Sequence, residues 1–282
     1  MRTPRFKLLI ALVVLLMLAA AAVAQRGFGG GQRVPEREEA VAIIPPREAE
    51  YHFIRLEYTD LPQYHRGFGF ASRMGQGTGW WIVDWPAADT LFTRGVERLT
   101  RIDIGDPRHV RLTDPQLFDY PWIYATQTDR WDLSDAEIAR LREYLLRGGF
   151  LMTDDFWLPI GWELFSRTMN RVFPAKTFVD IDPSDSAMHV LYDIEAKDRT
   201  TIPGSRHLRR GYDGAITVQY PEGAAPAWRA LYDDRGRMIV SANFNTDIGD
   251  AWEFADVPYY PEAMTALAYR YGINYIVYSM TH

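Results

Sequence analysis

The sequence contains no cysteine. That absence excludes disulfides, thiolate metal sites, a cysteine nucleophile and a lipid anchor on cysteine. No H-E-x-x-H pair occurs, and the histidines at 52, 65, 109, 207 and 282 show no ligand-like pairing, so zinc hydrolysis has no basis. No G-x-S-x-G elbow is present either, which removes the common serine-hydrolase arrangement. Positive charge is in deficit. With 31 Lys and Arg against 37 Asp and Glu, the formal charge is −6 and no basic stripe offers itself to a phosphate backbone, so nucleic acid is not an expected partner. Internal repeats are absent, as is any interdomain linker after residue 50.

The 282 residues are 47% hydrophobic and rich in Trp, Tyr and Phe, enough for one large globular core. Residues 1–24 read as a leader. Arg2, Arg5 and Lys7 precede an apolar run from Leu8 to Val23, and Ala22-Val23-Ala24 gives a small-x-small cleavage site before Gln25. Cleavage after Ala24 takes away three basic and no acidic side chains, moving the charge from −6 to −9. The expected location is periplasmic or secreted. The alternative is an uncleaved N-terminal anchor, which would be the chain's sole contact with a membrane. Residues 25–48, with GFGGG, RVPEREEA and IIPPRE, read as a flexible, charged and finally stiff linker. Residues 49–282 then form a single domain.

Tyr51 to Tyr58 alternates as a first strand, with Ile54, Leu56 and Tyr58 on one face. A loop rich in glycine and aromatics follows. Its Gly75, Gly77 and Gly79 lack the strand, the helix and the Lys-Ser/Thr pair of a phosphate loop. Pro86 opens a helix through Leu91, Val96 and Leu99. Val110 to Leu112 reads as a brief strand and Pro121 to Thr126 as a longer one. Ser134 and Glu137 have capping-box spacing, Ile138, Leu141 and Leu145 mark a helical face, and Gly148 stands at the C-cap. Phe150 to Thr153 is then a buried parallel strand, completing a βαβ unit that ends in Asp154-Asp155.

Further on, Trp162, Phe165, Met169 and Val172 recur at helical spacing up to Pro174. Phe178 to Ile181 reads as a strand, Met188 to Ile194 as a short apolar element, and Ala196 to Arg210 as an exposed excursion. Ile216 to Tyr220 is a strand, and Ala230 to Tyr232 with Met238 to Ala242 forms a hairpin around DDRGR. Pro261 opens a last helix that Gly272 is expected to close, leaving Tyr275 to Tyr278 as a strand or packed tail. This alternation predicts an α/β fold.

In open α/β sheets ligands bind beyond the carboxyl ends of the strands, where Asp154 and Asp155 fall. The two are the candidate catalytic carboxylates, as acid and base or as ligands of a divalent cation. The competing reading gives one a helix cap or an arginine and leaves the other solvated. His189 is a third catalytic candidate, although a lone histidine among apolar residues is more often structural. Asn243, Asn245 and Asp247 follow the hairpin strand with nearly calcium-loop spacing. However, the glycine is Gly249 and Glu253 falls one short of the twelfth position, so no metal site is assigned. They are expected to line a polar cleft with Trp252 and Glu253, joined by Trp81 and Asp84 from the segment after the glycine loop. Most tryptophans belong to the core, with Trp80-Trp81 the pair to watch as a binding platform.

Taken in order, RLEYTD, WWIVDWPAAD, LTDPQLFDYPWIYAT, LSDAEIARLREYLLRGGFLMTDDFW, MHVLYDI and NTDIGDAWEF resemble the uncharacterised domain family 4159 over Tyr51 to His282. That family is similar in architecture to class I glutamine amidotransferases and the ThuA-like trehalose-utilisation proteins. The resemblance implies a flavodoxin-like, doubly wound, mostly parallel sheet with helices on both faces. The amidotransferases carry a cysteine elbow where this chain reads Thr153-Asp154-Asp155-Phe156, and ThuA-like proteins carry a histidine near that point. Thioester glutaminase chemistry is therefore not expected.

The leading expectation is a non-hydrolytic binding or scaffold domain without a cofactor, holding a small polar ligand such as carbohydrate, or an envelope protein. The alternative is a metal- or carboxylate-dependent enzyme acting on a sugar or peptide-like substrate through Asp154 and Asp155.

Overall fold

A seven-stranded sheet organises the computed structural model, which describes residues 49–64 and 79–282. All of these belong to the unit Arg47–His282. Residues 1–24 and 25–48, expected to be a leader and a linker, and Gly75 and Gly77 lie outside the described residues. The strands are β1 (Tyr51–Glu57), β2 (Ile104–Arg111), β3 (Trp122–Thr126), β4 (Phe150–Asp154), β5 (Val179–Asp180), β8 (Ala227–Tyr232) and β9 (Met238–Phe244). Two more, β6 (Leu208–Arg210) and β7 (Ile216–Val218), pair antiparallel in a separate ribbon.

The main sheet runs β2-β1-β3-β4-β9-β8-β5. The first five strands are parallel, and β8 and β5 extend the sheet antiparallel. From β1 the chain first goes outward to β2, then returns to the other side of β1 for β3. The connections diverge at the switch point between β1 and β3, and in open α/β sheets ligands bind beyond the carboxyl ends of the strands at such a point.

Alternation along each strand divides the interior in two. Phe53, Trp122, Tyr124, Phe150 and Met152 face one core, and Ile54, Leu56, Ile123, Ala125 and Leu151 face the other. Helices α1 (Ala87–Leu99), α4 (Ile248–Glu253) and α5 (Glu262–Thr281) cover the first core. Helices α2 (Asp135–Leu146) and α3 (Leu158–Val172) cover the second. The fold is thus α/β, with a mostly parallel sheet between helical layers.

Local chemistry accounts for the central βαβ unit. Ser134 and Glu137 make the reciprocal capping box of α2, and Gly148 beyond its end has φ 112°. Arg237 at the start of β9 donates to the Leu145 and Gly148 carbonyls at 2.9 Å, placing a cation on the unsatisfied end of α2.

Several expectations are corrected. Helix α5 does not stop at Gly272 but continues through Tyr275 to Tyr278. That glycine serves close packing: a Cβ there would stand 2.6 Å from the Phe92 ring and 2.8 Å from the Trp252 ring. The stretch from Ala196 to Arg210 is not simply exposed, because Thr201 to Gly204 and His207 are buried. Val110 belongs to a longer strand that ends at Arg111, with Leu112 beyond it, and the residues around Met188 make a single 3-10 turn, Ser186–Met188.

Candidate functional site

The carboxyl ends of β3, β4 and β9 carry a run of strained residues. Gln127, Asp155 and Asn245 each follow a strand and each adopt positive φ, at 49°, 49° and 56°. Asp84 adds φ 66°. Such backbone costs on the order of 1–3 kcal/mol per residue and persists where the surroundings over-determine it.

Arg55 holds Asp84's segment in place. From β1 it forks onto Asp89 of α1, Nε to Oδ1 at 2.9 Å and Nη2 to Oδ2 at 2.6 Å. Its Nη1 donates to the carbonyls of Trp81 at 3.1 Å and Val83 at 2.8 Å. The two residues flanking Ile82 are thereby pinned, and Asp84 follows directly.

Asp154 and Asp155, adjacent in sequence, do different things. The Asp154 carboxylate accepts the Tyr124 hydroxyl at 2.7 Å on Oδ1, and the backbone N–H groups of Ile248 at 2.7 Å and Gly249 at 3.0 Å on Oδ2. It ties β4 to the start of α4. Burial raises its pKa to about 7, opposed by the Tyr124 hydrogen bond and assisted by the Asp155 charge. Asp155 accepts from Trp157 Nε1 at 2.6 Å, from Gln127 Nε2 and from the Arg206 guanidinium. Arg206 is half-exposed and lies 5.6 Å from the Trp157 ring, at the rim.

Beneath that rim is a set of acids without such partners. Asp84, Asp247 and Asp250 each present a carboxylate oxygen, all within 4.8 Å of one another. Asp247 caps α4 by accepting the Asp250 N–H at 3.0 Å, and Asp250 accepts the Ser205 N–H at 2.6 Å. Asp84 is partly exposed as a residue, yet its Oδ2 is buried and has no hydrogen-bond partner. Burial, then mutual repulsion, holds Asp84 and Asp247 well above the usual carboxylate range. Burial and Asp250 bring Glu253 to about 7.

Two glycines make room for these oxygens. A Cβ at Gly204 would meet Asp247 Oδ2 at 2.4 Å and Asp250 Oδ2 at 3.1 Å. At Gly249 it would meet Asp84 Oδ2 and the Tyr124 hydroxyl, both at 2.8 Å. The segment bearing Gly204 is fixed by the Tyr260 hydroxyl on the Pro203 carbonyl, the Tyr220 hydroxyl on the Thr201 carbonyl, and the Asp247 N–H on the Ile202 carbonyl. His207, pushed down to about 4 by burial and then by Arg206, stays neutral, and its Nδ1 accepts the Gly204 N–H at 3.2 Å.

Residues 70–280 match the family described as Domain of unknown function (DUF4159). The chain belongs to that family. Nothing among curated proteins matches it. The DUF4159 match takes in every acid of the site, while Arg55 on β1 lies before it.

Against this geometry the sequence candidates divide. Asp84, Asp154, Asp155, Asp247 and Glu253 come together at one sheet end. Asn245 is nearby but occupied, accepting the Leu158 N–H at 2.8 Å and donating to the Ala225 carbonyl. Asn243 bonds the Thr153 carbonyl and the Tyr275 hydroxyl inside the fold. Trp81 and Trp252 are buried in the two cores, and Trp80 is half-buried with the Arg130 guanidinium 3.5 Å from its ring, so the pair is not an open platform.

His189 is elsewhere. It bonds Asp193 and the Pro183 carbonyl, and neighbouring Ser186 shares a hollow with Gly148 and Gly236 before β4 and β9 begin. Sequence reasoning missed Asp250, Gly204 and Arg206. Asp250 could have been found from the D-x-x-D start of a helix at Asp247, whereas nothing local marks Arg206.

Proposed function

We propose that the chain is an extracytoplasmic binding domain that holds a small polar ligand at the carboxyl ends of β3, β4 and β9. Its fold follows the flavodoxin-like plan of class I glutamine amidotransferases and ThuA-like proteins. The order β2-β1-β3-β4-β9 supports that plan, since it has the 2-1-3-4-5 pattern with its switch point between β1 and β3. The location rests on the leader at 1–24.

The observation that carries the binding reading is the convergence of Asp84, Asp155, Asp247 and Asp250 under the rim residue Arg206. Carboxylates accept from hydroxyls and a guanidinium donates to them, which suits carbohydrate or another polyol. At the point corresponding to the amidotransferase nucleophile, Asp155 already accepts from Trp157, Gln127 and Arg206. Bonded so, it is suited to holding a shape rather than attacking a substrate. The enzymatic alternative through Asp154 or Asp155 also has no help from His189, which bonds to Asp193 and Pro183.

Thermal unfolding across a panel of neutral and acidic sugars and polyols tests the reading. A ligand at a hundredfold excess over Kd stabilises by about 2.7 kcal/mol, a shift of several degrees. The shift is expected to vanish in Asp155→Asn combined with Arg206→Ala. If no member of the panel shifts the transition, the small-ligand reading fails and a protein partner takes its place.

A further inference from the structure

We infer that Asp84, Asp247 and Asp250 form a divalent-cation site, of the hard, oxygen-ligated kind that calcium occupies. The inference rests on the reading of the strand-end acids as a ligand site, but not on the ligand being carbohydrate.

Three independent features lead there. The first is spacing. Oxygens about 2.3–2.6 Å from a calcium ion are at most about 5 Å apart across it, and the three here all lie within 4.8 Å of one another, close enough for one ion to bridge. Calcium tolerates irregular sets of oxygens, whereas magnesium, at about 2.0–2.1 Å, demands a near-octahedral one. The second is the orphaned acceptor. Asp84 Oδ2 is buried with no donor, and the segment before it is pinned by Arg55. The third is cleared space, since Gly204 and Gly249 stand where any side chain would press on the oxygens.

Charge accounting agrees. Arg55 is matched by Asp89, Arg206 by Asp155, and Asp154 by Tyr124 and two N–H groups. That leaves the three acids and Glu253 with no salt-bridged cation among the described residues. Buried carboxylates that carry their charge are ordinarily paired or coordinate metals. The Ser205 and Asp250 N–H groups hold Asp250 and Asp247 in fixed rotamers, the outer support that metal ligands require.

The test uses the intact chain, stripped with a chelator, and bare metal salts with no sugar present. Calorimetric titration is expected to give one calcium per chain, with magnesium weaker, and calcium should raise the melting temperature. Terbium should bind in its place and show luminescence sensitised by Trp252 on α4. Asp84→Asn should weaken calcium binding by at least tenfold, the scale on which even supporting contacts act. In the stripped state it should melt no lower than the native chain, because it removes a buried repulsion. Asp250→Asn supplies a second variant should the first not fold, and Asp180→Asn, on the distant edge strand, should bind as the native chain does.

Absence of any calcium, magnesium or manganese binding to the folded chain overturns the inference. So does calcium binding unchanged in both Asp84→Asn and Asp250→Asn. Sugar binding to a chain that takes up no cation would sink the cation while sparing the ligand reading. Calcium binding with an inert sugar panel would do the reverse.

Discussion

Asp84 and Asp89 are near neighbours in the chain, both with buried oxygens close to Arg55, and their surroundings differ completely. Asp89 receives both prongs of the guanidinium fork and is fully enclosed. Asp84 receives nothing on Oδ2 and faces Asp247 and Asp250. An acid that serves the fold is brought in with its donors, as an isolated buried carboxylate is too costly to keep. An acid whose buried oxygen has no donor, beside two others with one backbone N–H each, is left for something that arrives from outside. The same contrast separates Asp154, whose two oxygens are filled by three donors, from the acids beside it.

The largest expected effect breaks the enclosed side. Asp89→Ala leaves Arg55 charged and unpaired in the interior, at a cost of about 3–5 kcal/mol. It should also loosen the carbonyls of Trp81 and Val83 and thereby Asp84. Urea unfolding measures the loss. A cost below about 1 kcal/mol would mean that the pair does not anchor this corner.

Next come the glycines, which differ in the same way. Gly272→Ala drives a methyl into the packed rings of Phe92 and Trp252 and should cost about 1–3 kcal/mol. Gly204→Ala presses instead on the carboxylates of Asp247 and Asp250, each held by a backbone N–H rather than wedged among packed rings. It should cost less stability than Gly272→Ala while removing calcium binding. Equal losses in urea would show that the space around Gly204 is ordinary packing.

How much of this the sequence revealed depends on the distance between partners. The capping box at Ser134, the turn at Gly148 and the β8–β9 hairpin are signalled within a few residues, and all three form. Gly272 misled because its partners are rings on α1 and α4, and a glycine that ends a helix looks the same in sequence as one that admits a neighbour. Asp154 was expected at a strand's carboxyl end, and β4 ends with it. Its task of holding α4 depends on N–H groups 94 and 95 residues away. Arg206 reaches Asp155 across 51 residues from a stretch whose polarity marked it as surface. His189 attracted attention because histidine titrates near neutrality, yet its partners are local.

Asp129 offers a titration that sharpens the contrast, as an acid between the two extremes. Burial raises it to about 7, against the nearby Arg130 charge and with that of Asp155. A raised carboxylate binds its proton more tightly folded than unfolded. Its contribution is therefore complete below roughly pH 4 and is lost as pH rises through about 7. The metal-stripped chain should lose stability over that window, and Asp129→Asn should lose less, as its amide cannot ionise. Melting curves at pH 5 and pH 8 compare the two. Parallel slopes would remove Asp129 from the account.

The smallest effect belongs to Arg206→Ala. Its ion pair with Asp155 has the same chemistry as Arg55 with Asp89 but a different depth, since the Arg206 side chain is 49% exposed and Arg55 is fully buried. Solvent already screens the exposed member, and Asp155 keeps Trp157 and Gln127 as donors when the guanidinium is gone. The stability cost should stay within about 1 kcal/mol in urea unfolding, several times smaller than that of Asp89→Ala. If Arg206 is the rim of a ligand site, the same substitution should weaken sugar binding much more than it weakens the fold. A variant that loses 3 kcal/mol or more would instead make Arg206 a second structural clasp, and the site would lose its accessible edge.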